Sequence, residues 1–180
     1  MSAAAPGAVA ARLGALIRDI PDYPQPGVMF KDITPLLADA AGFAAAVTSL
    51  ASGHERVDKV VGIEARGFIL AAPVAFSLGV GFVPVRKAGK LPGPIHAQAY
   101  QLEYGTAAIE VHVDSFAPGD RVLIIDDVLA TGGTAAATAE LVRRCAAEVT
   151  ALSVLIELGF LGGRAALAEH GIEVRALLGL

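Results

Sequence analysis

Two adjacent carboxylates, Asp126 and Asp127, stand just ahead of a run of small residues, Ala130-Thr131-Gly132-Gly133-Thr134. Carboxylates accept hydrogen bonds from sugar hydroxyls, and such charge-assisted bonds are the strong ones. A small-residue turn opening onto a helix presents backbone N–H groups to an anion, and the helix dipole favours the negative charge. Together these features make a cradle for a sugar phosphate. An ordinary strand-to-helix turn with solvated acids would account for one acid and one glycine, but not for this whole set in one short run. Two further charged groups, Glu64-Ala65-Arg66 and the trio Arg86, Lys87 and Lys90, offer cations to an anionic ligand. Arginine suits two-pronged phosphate contact and lysine acts as a point charge. Their plainer readings are a surface salt bridge between Glu64 and Arg66, and a solvated basic loop.

Some chemistries are not indicated. The small-residue run lacks the lysine of the G-x-x-x-x-G-K-[ST] loop, and no G-x-G-x-x-G occurs anywhere, so neither that kind of triphosphate site nor a dinucleotide site has support. His54, His96, His112 and His170 have no metal-ligand spacing, and the single cysteine, Cys145, excludes a disulfide framework or a cysteine metal cluster.

The elements that must position these groups alternate along the chain. Apolar residues at Val9, Leu13, Leu16, Ile17 and Ile20 predict a helix over 9–20, and residues 43–50 read as a second. A β-branched run over 57–63 predicts a strand, followed by a helix over about 67–78 and a strand over 81–85. The four apolar residues at 122–125 predict a buried parallel strand over 121–126, ahead of an Ala-rich helix over about 133–147. A strand over 149–158, a short helix over 163–169 and a strand over 172–178 complete the series. Such alternation predicts a parallel sheet flanked by helices, with ligands bound beyond the carboxyl ends of the strands. Segments 64–67, 86–90 and 126–134 all fall at those ends. Residues 87–105, punctuated by Gly89, Pro92, Gly93, Pro94 and Gly105, read as a long irregular loop with an extended arm at its end.

The run from Val122 to Thr134 resembles the phosphoribosyl-pyrophosphate motif of type I phosphoribosyltransferases. Three more segments are similar to those of the adenine phosphoribosyltransferases. Pro26-Gly27-Val28-Met29-Phe30-Lys31-Asp32-Ile33-Thr34-Pro35 resembles their base-binding segment, and Gly62-Ile63-Glu64-Ala65-Arg66-Gly67-Phe68 their pyrophosphate loop. Arg86-Lys87-x-x-Lys90-Leu91-Pro92-Gly93, with residues 100–105, resembles their mobile hood. The resemblance runs in order from about residue 20 to residue 158.

It implies an α/β type I phosphoribosyltransferase fold as one domain over 1–180, with a mobile hood over about 87–110. It implies transfer of a phosphoribosyl group from 5-phospho-α-D-ribose 1-diphosphate to adenine, giving AMP. Ala130, Thr131, Gly132, Gly133 and Thr134 would bind the 5′-phosphate, and Asp126 and Asp127 the ribose hydroxyls. Glu64, Ala65, Arg66, Arg86, Lys87 and Lys90 would surround the pyrophosphate, with a strained peptide bond ahead of Arg66. Phe30 would cover one face of adenine and Leu129 the other, while the backbone of Met29 and Lys31 reads its edge. Glu103 would handle the base proton, with Arg66 the other catalytic candidate. Mg²⁺ would arrive with the donor, with no protein ligand beyond Asp126 and Asp127 through ribose or water. A homodimer is implied as well. Lys31 stands where many relatives have arginine, and Glu64-Ala65 departs from an Asp-Ser form. Residues 1–8 have no counterpart and are expected to be disordered. The rival readings are another base on the same fold (hypoxanthine, guanine, xanthine or orotate) and a non-catalytic regulatory domain that senses the donor.

Composition bounds the rest. With 180 residues the chain can bury one full-sized core, and 54% of it is hydrophobic. The uncharged run 67–85 is nearly long enough to span a bilayer, but Pro73, Gly79, Gly81 and Pro84 interrupt it, so a buried helix, turn and strand are expected. The N-terminus has no basic region ahead of an apolar one, and Pro6-Gly7 would break a helix, so no secretory signal is read and a cytoplasmic location is expected. A net charge of −4 argues against a general nucleic-acid surface.

Overall fold

The structure is a computed structural model that describes residues 6–54, 56–101 and 106–180. Two compact units divide the described chain, with the boundary after Ser49.

The first unit contains α1 (Pro6–Gly14), β1 (Arg18–Ile20), β2 (Phe30–Asp32), α2 (Thr34–Ala38) and residues 40–49 of α3 (Ala40–Ala51). Residues 6–8 were expected to be disordered, and Pro6-Gly7 to break a helix. Instead Pro6 opens α1, where its missing N–H costs nothing and its fixed φ suits the first turn. The helix expected over 9–20 stops at Gly14. Its last residues pair instead as β1 against β2, antiparallel, with Ile20 opposite Phe30. Cross-strand charges support that choice: Lys31 Nζ lies 2.7 Å from Asp19 Oδ1 and Arg18 Nη1 3.8 Å from Asp32 Oδ2. Sheet pairing overrides a helical period that exposed residues alone could not hold.

The second unit is built on a seven-stranded sheet. Its strands are β3 (Lys59–Ile63), β4 (Gly81–Lys87), β5 (Ile95–Gln101), β6 (Thr106–His112), β7 (Arg121–Leu129), β8 (Glu148–Glu157) and β9 (Val174–Gly179), in the order β5-β6-β4-β3-β7-β8-β9. From β4 to β9 in that order, every neighbouring pair is parallel. At one edge β6 runs antiparallel to β4, and β5 antiparallel to β6. That edge corrects the expectation of an irregular loop over 87–105. Residues 95–101 form a regular strand, because β6 supplies a ladder from Ile95↔His112 to Gln101↔Thr106.

Strands β3 and β7 are buried along most of their length, with Val60, Val61 and residues 122–125 fully enclosed. Helix α4 (Arg66–Leu78) packs on β3, β4 and β7, while α5 (Gly133–Arg144) packs on β5 through β8 and on α6 (Gly163–Glu169). Continuous apolar runs are what strands covered in this way require. The uncharged stretch 67–85 resolves into α4, a left-handed turn at Gly79 with φ 70° and β4. Among the described residues no helix is long and apolar enough to cross a membrane. Strand register decides which charged residues share a sheet end. Ile63 pairs with Val85 and Gly62 with Ile125, so Glu64, Arg86 and Asp126 come level on three neighbouring strands at the end of β3.

Candidate active site

Strand β7 runs past the acid pair to Leu129, because β8 pairs with it as far as Leu129↔Glu157. The expected end at Asp126 came too early. Within the strand the two acids have different partners. Asp127 is 6% exposed, and its Oδ2 lies 2.8 Å from Nη2 of Arg66, the first residue of α4. This contact is a pairing of charges: among the described residues no N–H is aligned on that oxygen, which keeps acceptor capacity in a buried position. Asp126 is part-buried, and its Oδ1 accepts the backbone N–H of Asp127 at 2.9 Å. Burial first, and the neighbouring Asp127 charge second, push the Asp126 carboxyl well above the usual carboxylate range. Gly67 makes this packing feasible. A Cβ there would lie 2.8 Å from Asp126 Oδ1 and 3.1 Å from the carbonyl of Ile125.

Beyond β7, residues 130–134 turn into α5 around a cleft of about 80 Å³ lined by Asp126, Val128, Leu129 and the turn itself. Gly132 takes φ 89° as the helix cap, a conformation that favours glycine. Among the described residues no side chain caps α5, and its first turn has no acid, so its leading N–H groups can meet an anion. Sequence reasoning missed the support behind this turn. Gly163, at the start of α6, lies so close that an added Cβ would fall on the carbonyl oxygen of Ala130 and 3.0 Å from Leu129 Cδ1. Leu129 is accordingly buried. A larger cavity of about 440 Å³, between β5 and α5, is lined by Tyr100, Glu140, Arg144 and His170. None of the carboxylates and cations picked out as donor contacts lines it, so the smaller cleft is the better candidate.

The third group sits at the ends of β3 and β4. The peptide bond between Glu64 and Ala65 is cis, in the place where an unusual peptide was expected ahead of Arg66. Glu64 does not pair with Arg66. Its Oε2 accepts the Lys87 backbone N–H at 3.0 Å and Arg86 Nε at 3.2 Å. Those bonds, the backbone one foremost, hold the Glu64 carboxyl below its usual range. Arg86 therefore belongs to β4 and already has a carboxylate partner, and is not a free loop cation. Lys87 ends β4, and Lys90 lies in the turn beyond it. Sequence reasoning also missed Glu110 on β6. This acid is 4% exposed and accepts backbone N–H groups from Gly89 at 3.0 Å and from Lys90 and Leu91 at 2.8 Å each. The only signal in the sequence is an acid set between Ile109 and Val111.

In the first unit, Phe30 meets Tyr23 edge-on, with ring centroids 5.1 Å apart. Met29 is 48% exposed, and the Lys31 ammonium is engaged by Asp19. Glu103 lies outside the described residues.

The model of the phosphoribosyl transferase domain matches residues 29–166. An adenine phosphoribosyltransferase of Streptomyces galbus is 64% identical over 92% of this chain and 93% of its own. Among solved structures, the adenine phosphoribosyltransferase of Rhodothermus marinus is 50% identical with a TM-score of 0.91, covering 97% of this chain and 99% of that one. The enzyme of Saccharomyces cerevisiae, solved with an imino-altritol bisphosphate and adenine, is 36% identical with a TM-score of 0.91, covering 96% and 99%.

Proposed function

This chain belongs to the adenine phosphoribosyltransferase family, and from that membership we propose how its own residues carry the reaction. The activity is transfer of the phosphoribosyl group of 5-phospho-α-D-ribose 1-diphosphate to adenine, giving AMP and diphosphate, a step of purine salvage. The observation that carries the reading is the acid pair of β7 leading into an uncapped α5 N-terminus, with Arg66 against Asp127. The 5′-phosphate sits on the N–H groups and hydroxyls of residues 130–134, and Asp126 and Asp127 accept the ribose hydroxyls.

In the reaction the bond from the anomeric carbon to the diphosphate oxygen breaks, and a bond to the purine imidazole nitrogen forms. That nitrogen's proton passes to a base. Negative charge gathers on the leaving diphosphate, and Arg66, Arg86, Lys87 and Lys90 lie at the sheet end that faces it. The donor set fits Mg²⁺, since hard carboxylate oxygens suit it and Asp127 keeps a buried oxygen with no aligned donor among the described residues. Asp126 and Asp127 would hold it, through ribose or water, and when bound it neutralises charge on the diphosphate. For adenine, Phe30 covers a face of the ring and the backbone of Met29 and Lys31 reads its edge, and Glu103 takes the proton. The protein works as a homodimer in the cytoplasm.

Replacing Glu103 with leucine separates chemistry from donor binding. Loss of a positioned acid–base group is expected to lower kcat by about 10²–10⁴-fold, while the donor's Kd for the free enzyme stays put. The measurement is kcat at saturating adenine beside a donor titration. A kcat within about threefold of wild type would withdraw the proton-handling role.

A further inference from the structure

We propose that Glu110 is a positioning residue for this transfer: its carboxylate holds the 88–91 turn in the shape that presents Lys87 and Lys90 to the donor's diphosphate. The inference rests on the reading of those lysines as diphosphate contacts. Glu110 belongs to β6, opposite Arg86 of β4 in the strand register, and it is almost fully buried between two apolar neighbours. A carboxylate is costly in such a place unless it is fully bonded. Here three successive backbone N–H groups, of Gly89, Lys90 and Leu91, close on its two oxygens. Consecutive N–H groups in a turn form an anion-binding concavity. In this protein the concavity is filled from below by the chain's own acid, which leaves the lysine side chains to face outward.

The rest of the turn agrees. Gly89 takes φ +80°, and Arg86 Nη1 donates to the carbonyl of Lys90 at 3.3 Å. Arg86 in turn is held by Glu64, and the Lys87 N–H by the same carboxylate. Two acids, Glu64 and Glu110, thus fix the base of the basic segment from both sides. Neither needs to touch the substrate. A lysine carried on a turn without these anchors would still be charged, but it would have to be ordered at each binding event, at the expense of affinity.

The isosteric E110Q variant tests this. A carboxamide keeps one acceptor and puts an NH₂ against the remaining N–H groups, so the turn must open. The donor's KM and the Kd for inorganic diphosphate are expected to rise about tenfold or more, as displaced binding groups produce. The KM for adenine should stay within about twofold, and kcat within about threefold. The double variant of E110Q with K90A should be no worse for the donor than the weaker single variant, because Glu110 acts through that lysine. Equal changes in both KM values, tracking a lower Tm, would mark Glu110 as structural and overturn the proposal. If K90A raises the donor's KM and E110Q does not, the proposal falls while the diphosphate reading stands. If K90A leaves the donor's KM unchanged, the diphosphate reading falls and takes this proposal with it. Should E110Q fail to fold, G89A strains the same turn from its exposed side, where an added Cβ meets nothing within 4 Å. It must reproduce the selective rise in the donor's KM, and an unchanged KM overturns the proposal.

Discussion

Asp126 and Asp127 are neighbours in the chain with opposite electrostatic settings. Asp127 faces Arg66, whereas the Asp126 carboxyl, beside another carboxylate, is held well above the usual range by desolvation and that neighbouring charge. The two Asn variants should therefore move stability in opposite directions. Because the folded-state value of Asp126 is raised, the fold binds its proton more tightly than the unfolded chain does. Its contribution is favourable at low pH and is lost as pH rises through the folded value. D126N removes that loss, so it should melt higher than wild type at neutral pH, with the gap closing on acidification. D127N removes the buried charge that faces Arg66 and should cost about 1–3 kcal/mol, at about 2–4 °C per kcal/mol for a chain of this size. Both should bind the donor more weakly, since each lost charge-assisted bond is worth about 1.5–3 kcal/mol. Thermal melts across pH beside donor calorimetry check this, and a D126N that melts lower at every pH would contradict the assignment. The sequence marked both acids as site residues. It could not mark their difference, which depends on α4 bringing Arg66 and Gly67 against β7.

The elements around the site were legible where the pattern was local. The β-branched and apolar runs became β3, β7 and β8, and the Ala-rich segment after Gly133 became α5. The misreadings were cases where a distant partner decided the structure. Residues 18–20 look helical until β2 is available, and residues 95–101 look irregular until β6 is. Close approach between elements is hidden for the same reason. Gly163 reads only as the start of a short helix, yet its lack of a Cβ is what lets α6 lie against the 130–134 turn. Gly163→Ala would drive a methyl group into the Ala130 carbonyl and Leu129, and overpacking of this kind typically costs about 1–3 kcal/mol. It should raise the donor's KM more than adenine's, whereas Gly162→Ala, with nothing within 4 Å of the new Cβ, should strain the backbone at φ 72° and leave the donor's KM near wild type. Kinetics with each substrate varied in turn check this. Equal effects of the two variants on the donor's KM would mean that α6 does not shape the phosphate site.

At the scale of the whole molecule, charge is distributed unevenly. The chain carries a net −4, yet Arg66, Arg86, Lys87 and Lys90 gather at the end of the sheet where the acid pair and the uncapped helix also lie. That concentration suits a small polyanionic donor held against a neutral base, and it does not suit an extended nucleic acid. Glu64, Arg66, Arg86 and the acid pair belong to the second unit, and Met29, Phe30 and Lys31 to the first. Base choice is the property on which the whole reading turns. The direct measurement is competition: the protein with limiting donor, Mg²⁺ and equal concentrations of adenine, hypoxanthine, guanine and xanthine, with the nucleotides identified by mass. AMP is the expected dominant product, formed one for one with diphosphate. A product mixture dominated by another purine nucleotide, or donor consumed with no nucleotide formed, would contradict that expectation.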